Sequence, residues 1–192
     1  MPPFRFFLAL LMTIVALGGS GAAAAQAVPP PAAPGSFAPP APRLEFMTRL
    51  TVALDSPPWE LGATSAAGRR RIIPITGGSF AGPLLTGTIQ NSGADWQVVT
   101  PDGVAVIDTR YLLKTTDGAL IYLQTKGYRY GPPEVLAELA AGKLVDPARY
   151  SFRLTMSFET SAAQYAWLNH AIGIGYAVRL PKAVVYDAYL VK

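Results

Sequence analysis

The sequence predicts an all-β protein: an antiparallel β-barrel that is closed or nearly closed and carries one short helix. Short apolar or alternating runs recur from residue 44 to the end of the chain, as strands require. The segments between them are rich in glycine, asparagine and aspartate, which favour hairpin turns. A helical pattern occurs once, and closure is how a sheet of about eight to ten strands removes its edges. A two-sheet sandwich is the alternative architecture.

The first predicted strand covers residues 44–54, where larger apolar side chains alternate with mostly polar ones. Asp55-Ser56-Pro57-Pro58 ends it. A short extended piece at 59–63 and a turn lead into a strand over 70–76. Gly77-Gly78 should then break the chain, at positions that need a positive φ.

The remaining strands are separated by hairpin sequences such as Asn91-Ser92-Gly93 and Thr116-Asp117-Gly118. The helix is expected at 132–143, because a proline pair opens it and Gly142 can close it in the left-handed conformation. The strands before the helix are expected at 84–90, 96–100, 104–114 and 119–130, and those after it at 150–159, 170–180 and 183–191.

The N-terminal segment, 1–27, is predicted to be a secretory signal peptide. Arg5 supplies a positive charge, residues 6–17 are apolar, and Ala25-Gln26-Ala27 fits the cleavage rule. We therefore expect an exported protein, periplasmic or secreted, with no stable membrane span after cleavage. Residues 28–42, dominated by proline and alanine, are expected to be an extended tether, which leaves 43–192 as a single barrel domain.

Composition excludes several classes of chemistry. The chain has no cysteine, so thiol catalysis, thiolate metal sites and disulfides are absent. The net charge of +4 is modest, and the cluster Arg69-Arg70-Arg71 stands without a second basic stripe, so nucleic acid is not an expected partner. His170 is the single histidine and has no ligand cluster at metal spacing, so neither a metal site nor any cofactor is predicted.

An ordered set of short motifs runs from Gly68 to about Leu180. Its segments are Gly68-Arg69-Arg70, Ile73-Pro74-Ile75-Thr76-Gly77-Gly78, Gly82-Pro83, Gly87-Thr88, Gly93-Ala94-Asp95-Trp96-Gln97, Asp102-Gly103, Asp108-Thr109-Arg110-Tyr111, Asp117-Gly118, Phe158-Glu159-Thr160 and Tyr165-Ala166-Trp167-Leu168-Asn169. In this set the domain resembles the DUF3237 or UPF0311 family. The resemblance implies a barrel of lipocalin-like or streptavidin-like shape. It implies no reaction, because the family name records an unknown function.

The strand at 104–114 presents the main ambiguity for a site. Asp108 and Arg110 share one face with Val106 and Leu112, and the other face carries Tyr111. If the first face points inward, the two charges must pair or meet a ligand, since an unpaired buried charge costs several kcal/mol. If it points outward, they form a surface ion pair of little energetic value. The sequence leaves both interpretations open.

Three carboxylates are candidate catalytic groups: Asp95, Asp108 and Glu159. Asp95 begins a strand after Gly93-Ala94, where capping a turn is the commoner role and presenting a carboxylate to a pocket is the other. Glu159 ends a strand, where a place at a barrel mouth is plausible. The candidate ligand-binding residues are Trp96, Arg110, Tyr111, Tyr128, Trp167 and Asn169.

Two functions follow from these expectations. The first is a binding barrel for a small, partly apolar or aromatic molecule, oriented by charged groups. The second is a cofactor-free isomerase, dehydratase or cyclase that uses a pocket carboxylate as acid or base. A structural role, in which the motifs are turns and packing, is the third. The sequence favours the binding barrel and does not indicate an oligomeric state.

Overall fold

The structure, a computed structural model, describes residues 39–192 and contains ten strands in that range. The predicted signal peptide and most of the tether lie outside the described residues. No helix in 39–192 is long and apolar enough to cross a membrane. The strands are β1 Leu44–Leu54, β2 Trp59–Ser65, β3 Gly68–Ala81, β4 Gly87–Ile89, β5 Gly93–Val99, β6 Ala105–Thr115, β7 Leu120–Tyr130, β8 Ser151–Glu159, β9 Gly173–Leu180 and β10 Ala183–Val191.

Antiparallel pairing closes the sheet into a barrel. β5 to β10 follow one another around the wall, and β1 pairs with β10 on one side and with β3 on the other. β4 and β5 both lie between β3 and β6, so the ring has the circumference of eight strands, with β2 added along one end of β3. The predicted barrel is confirmed, and the sandwich alternative is excluded by the β1–β3 pairing.

The alternation predicted for β1 holds only in its second half. The register with β10 shifts between Phe46 and Thr48, so Met47 and Thr48 are both buried. The bulge turns Phe46 and Leu44 towards solvent and resets the inward face to Leu50 and beyond. The buried Thr48 hydroxyl donates to the Leu85 carbonyl at 2.9 Å.

The break predicted at Gly77-Gly78 is wrong, because β3 continues through both residues for 14 residues in all. The positive φ expected there is present, +139° at Gly77 and +136° at Gly78. The two glycines therefore bend a long strand as it passes from β5 to β4 on one side and pairs with β1 on the other.

The predicted helix is confirmed as α1, Pro133–Ala140, which buries Val135 and Leu139. Gly142 ends it with φ +73°, and its N–H donates to the Leu139 carbonyl while Lys143 N–H donates to Glu138. Two 3₁₀ segments were not predicted, Pro147–Arg149 and Ala163–His170. The second occupies the start of the strand predicted at 170–180, so β9 begins at Gly173 instead.

The barrel interior is filled mainly by apolar side chains from alternate positions of the strands. On β8, Phe152, Leu154, Met156 and Phe158 are buried and the residues between them are exposed or half-buried. The same alternation places the odd-numbered residues of β6 and β7 inside, among them Ile107, Leu113, Ile121 and Leu123. This inward set contains a few polar side chains, which form the candidate site.

Candidate functional site

The interior cavity lies among these polar side chains and has a volume of about 40 Å³. One water molecule needs roughly 10–15 Å³, so the space holds a group of a few heavy atoms. Its apolar walls include Val52, Ile73, Ile75, Ile107, Phe152 and Leu154. Its polar lining includes Asp95, Gln97, Thr109, Thr125, Arg129 and Arg179, with Tyr111 and Tyr186.

Asp95 is a strand residue whose side chain points into the barrel, so the turn-capping interpretation is wrong. It lies in β5 opposite Ile73 of β3 and Thr109 of β6, and it is only 8% exposed. One carboxylate oxygen accepts from the Asp108 backbone N–H at 3.1 Å, and the other accepts from the Gln97 amide at 2.8 Å.

Burial raises the pKa of the Asp95 carboxyl above its usual value. The hydrogen bonds from Asp108 N–H, Gln97 and Thr109 act in the opposite direction, as does the charge of Arg129. Desolvation is the larger effect. The hydrogen bonds therefore stabilise the ionised form of Asp95, whereas burial favours the protonated form. A carboxyl group under these two opposing effects suits the exchange of a proton.

Arg71 and Gln97 hold the Asp95 carboxyl group in place through a chain of hydrogen bonds. The Arg71 Nε donates to the Gln97 amide oxygen at 2.7 Å, and a second guanidinium nitrogen donates to the same oxygen. Because the Gln97 oxygen is occupied, its NH₂ group must face Asp95. The guanidinium of Arg71 is also 3.9 Å from Glu60 of β2, at the rim of the barrel.

Two further arginines point into the cavity from β7 and β9. Arg129 is 9% exposed, and its Nε has no hydrogen-bond partner among the described residues. Burial, reinforced by the charges of Arg71 and Arg179, lowers the pKa of the Arg129 guanidinium to about 10. Arg179 is held at its backbone by the Tyr150 hydroxyl, which accepts from its N–H at 2.9 Å, and its guanidinium donates to the Ala183 carbonyl at 3.1 Å.

The hydroxyl groups of Tyr111 on β6 and Tyr186 on β10 form a hydrogen bond across the barrel. Both rings are buried, and desolvation raises the pKa of each phenol above its ordinary value. Neither tyrosine is therefore a base at neutral pH, and one hydroxyl of the pair retains a proton that is not used in their mutual bond.

The ambiguity on β6 is resolved in favour of the outward interpretation for Asp108 and Arg110. Their side chains are 33% and 39% exposed, and Arg110 Nη2 lies 3.2 Å from the Asp108 carboxylate. Gln124 donates to the other Asp108 oxygen at 3.2 Å, and the Arg110 guanidinium lies 5.7 Å from the centre of the Trp96 ring. This is a surface ion pair, and the position of the two side chains gives no support for a role inside the barrel.

The remaining candidates also lie outside the cavity. Tyr128 and Trp167 are 57% and 41% exposed, and Glu159 is exposed at the end of β8. Asn169 uses its side chain to accept from Thr160 N–H at 2.8 Å and to donate to Thr160 C=O at 2.9 Å, which fixes the turn after β8. Of the nine predicted site residues, Asp95 and Tyr111 line the cavity.

Sequence reasoning missed Gln97, Arg129 and Arg179, although a signal exists for the first two. Gln97 lies two residues after Asp95 and so shares its face. Arg129 has the same parity as the apolar Ile121 and Leu123 on β7, whereas the larger apolar residues of β9 have the opposite parity from Arg179. A charged residue in phase with an apolar face predicts a buried charge.

We expect the substitution Arg129→Met to raise the free energy of unfolding by about 1–3 kcal/mol at neutral pH. The buried guanidinium lacks a partner at Nε, whereas a methionine of similar length leaves no unsatisfied donor. Urea denaturation measures the change. Arg153→Met is the matched control, because Arg153 lies on the outer wall with its guanidinium 3.4 Å from the centre of the Tyr176 ring, and its loss should cost up to about 1 kcal/mol. A less stable Arg129→Met protein contradicts the prediction.

Residues 42–191 match the family described as "Protein of unknown function (DUF3237)". The chain belongs to this family. It is 41% identical to a UPF0311 protein of Bradyrhizobium diazoefficiens over 124 residues. The matched segment covers 65% of this chain and 81% of the relative. A solved β-barrel-like protein from Acinetobacter baumannii is similar at 59% identity and a TM-score of 0.73, over 82% of this chain and all of that one.

A more distant relative of this DUF3237 protein is named for an activity. It is named "Hydroalkoxylation enzyme phnH", comes from Penicillium herquei, and is 29% identical over 137 residues, which are 71% of this chain and 75% of the relative. Within residues 39–192 of this chain, no three His, Asp or Glu side chains are grouped so that they could hold a metal ion.

Proposed function

We propose that this protein binds a small, partly apolar molecule inside the barrel, at the cavity bounded by Asp95, Arg129 and Tyr111. The observation that carries the proposal is the combination of apolar walls with buried charged groups around an unfilled space of about 40 Å³. A protein that needed only a stable core would fill that space with side chains, because buried charges and voids both reduce stability.

The proposed ligand places its small polar end in the cavity. Phe152, Leu154 and Ile107 supply apolar contact, while Asp95 and the arginines supply hydrogen bonds of both kinds. We also propose that the protein acts after export, on the evidence of the predicted signal peptide; mass spectrometry of the mature N-terminus tests that part separately.

A cavity-filling variant tests the binding proposal. Leu154→Phe adds volume inside the cavity. The control Leu112→Phe adds the same volume on the outward face of β6. We expect thermal-shift screening of small aromatic and apolar metabolites to give saturable stabilisation of the parent, about 2.7 kcal/mol at a hundredfold excess over Kd. Leu154→Phe should lose this stabilisation and Leu112→Phe should keep it. Equal responses in both variants would place the ligand outside the barrel.

A second candidate function, acid/base catalysis by Asp95, is favoured by one specific observation: its carboxyl is buried and has a raised pKa. The Penicillium herquei relative is named as a hydroalkoxylation enzyme. Hydroalkoxylation adds an O–H bond across a carbon–carbon double bond, which is an isomerisation when both groups belong to one molecule. It needs a proton donor and a proton acceptor but no oxidant or reductant.

Asp95 can supply both roles in turn. The protonated carboxyl gives its proton to one alkene carbon, and the hydroxyl oxygen of the substrate forms a bond to the other carbon. The proton released from that oxygen returns to the carboxylate, so the catalyst is unchanged and the product has the substrate's composition. The hydrogen bonds from Asp108 N–H and Gln97 stabilise the carboxylate while it is ionised.

A further inference from the structure

The polar end of the cavity carries an excess of positive charge. Arg129 and Arg179 line the cavity, and the charges of Arg71 and Arg179 both act on the pKa of Arg129. Asp95 is the buried carboxylate that faces them, and Glu60 is 44% exposed at the rim. Tyr150 also lies near Arg129 and Arg179.

The three arginines differ in how far their donors are occupied. Arg71 is held by the Gln97 oxygen and lies near Glu60, and Arg179 has one donor on the Ala183 carbonyl. Arg129 is the most buried of the three, and its Nε is without a partner among the described residues. A buried guanidinium with an unpaired Nε beside an open space is a site for an anion that reaches it from that space.

The surroundings of Arg129 favour a planar group. Its guanidinium lies 5.8 Å from the centre of the Phe152 ring, which forms an apolar wall of the same cavity. A guanidinium presents its N–H groups in a flat fork that matches a carboxylate in two parallel hydrogen bonds. The cavity volume is also that of a group of a few heavy atoms rather than of a whole aromatic ligand.

We infer that the ligand of the interior cavity carries a carboxylate, which binds Arg129 with support from Arg179. The inference rests on the proposed function and specifies its ligand class: an organic acid with an apolar body. Asp95 lines the same cavity, so the bound anion brings the adjoining part of the ligand to the carboxyl group.

Matched pairs of acids and amides test this inference, because the members of a pair share their shape and differ in charge. Acetate with acetamide, benzoate with benzamide, and naphthoate with naphthamide cover increasing size, and phenol titrated across its own pKa distinguishes a phenolate site from a carboxylate site. Calorimetric titration of the purified protein should show at least one acid binding about 10–100-fold more tightly than its amide, as expected for a charge-assisted pair.

Variants then locate the preference. In Arg129→Met the acid and its amide should bind about equally, and Arg129→Lys should keep part of the difference. Arg110→Met, on the outer wall, should leave it unchanged. Each variant is first shown by urea denaturation to be folded. Amides that bind as tightly as acids overturn the inference and leave the binding proposal intact, whereas failure of every compound to bind overturns both. A preference that survives Arg129→Met also overturns it.

Discussion

Under the proposed acid/base function, replacing Asp95 with asparagine is expected to lower the rate of hydroalkoxylation by about 10²–10⁴-fold, because a positioned acid or base contributes on that order to a proton-transfer step. The substrate to use is ortho-prenylphenol, whose conversion to cyclic ether isomers is followed by chromatography. Asparagine keeps the size of the side chain and its acceptor for the Asp108 N–H, but it cannot give or take the proton. It also turns an NH₂ group towards the Gln97 amide, so the fold of the variant is checked by circular dichroism.

Asp108→Asn is the matched control, because it makes the same chemical change on the outward face of β6. We expect its turnover to remain within about threefold of the parent, since an exposed ion pair contributes little. Equal losses in the two variants would contradict the assignment to Asp95. A parent protein that leaves ortho-prenylphenol unchanged would remove the support for this reaction and leave the binding proposal to be decided by the ligand screen.

The Asp95→Asn variant also tests the ionisation of Asp95. Because its pKa is raised in the folded state, the protonated form is the one that the fold favours. Its contribution to stability is present at acidic pH and is lost as the pH rises through the folded pKa. The difference in unfolding free energy between the parent and Asp95→Asn should therefore become less favourable to the parent as pH rises.

Gly78→Ala is expected to destabilise the barrel by about 4 kcal/mol, from backbone strain and from overpacking together. The residue has φ +136°, which side-chain-bearing residues rarely adopt. A Cβ at this position would lie 2.0 Å from the Thr51 carbonyl oxygen of β1. Gly78 is paired with Val52 in the β1–β3 ladder, so the strand cannot move away without opening the barrel.

Gly118→Ala separates the two causes. Gly118 has φ +90° in the β6–β7 turn, but a Cβ there would meet nothing within 4 Å. Only the conformational cost of roughly 1–2 kcal/mol remains. Denaturant midpoints measured for both variants give the comparison. If Gly78→Ala costs no more than Gly118→Ala, the close approach of β1 and β3 is not a constraint on the barrel.

Much of the fold was predictable because its signals are local. Hairpin turns such as Thr116-Asp117-Gly118, and the alternation on β8, depend on a few neighbouring residues, and these predictions are confirmed. The bulge in β1 and the continuation of β3 through Gly77-Gly78 were not predictable, because both depend on partners far along the chain. The two glycines predict a break from sequence alone, but in the structure β3 continues through them while it pairs with β1.

The candidate site was predictable in part, and β6 shows why. Both of its faces carry apolar residues, Val106 and Leu112 on one and Ile107 and Leu113 on the other, so hydrophobicity could not identify the inward face. Asp108 and Arg110 were drawn from the outward face for that reason. Tyr111 and Asp95, in phase with the true interior, are the candidates that line the cavity.

The sequence by itself determined the class of the fold, the family, the helix and the presence of strands, since periodicity, turn residues and short motifs are written along the chain. Only the tertiary structure decided which charges are buried. Asp95, Arg129 and Arg179 come from β5, β7 and β9, and they meet because pairing around a closed barrel gives each strand one inward face. Which alternate residues of a strand face inward depends on the pairing of strands around the whole ring. The sequence of a single strand does not determine it.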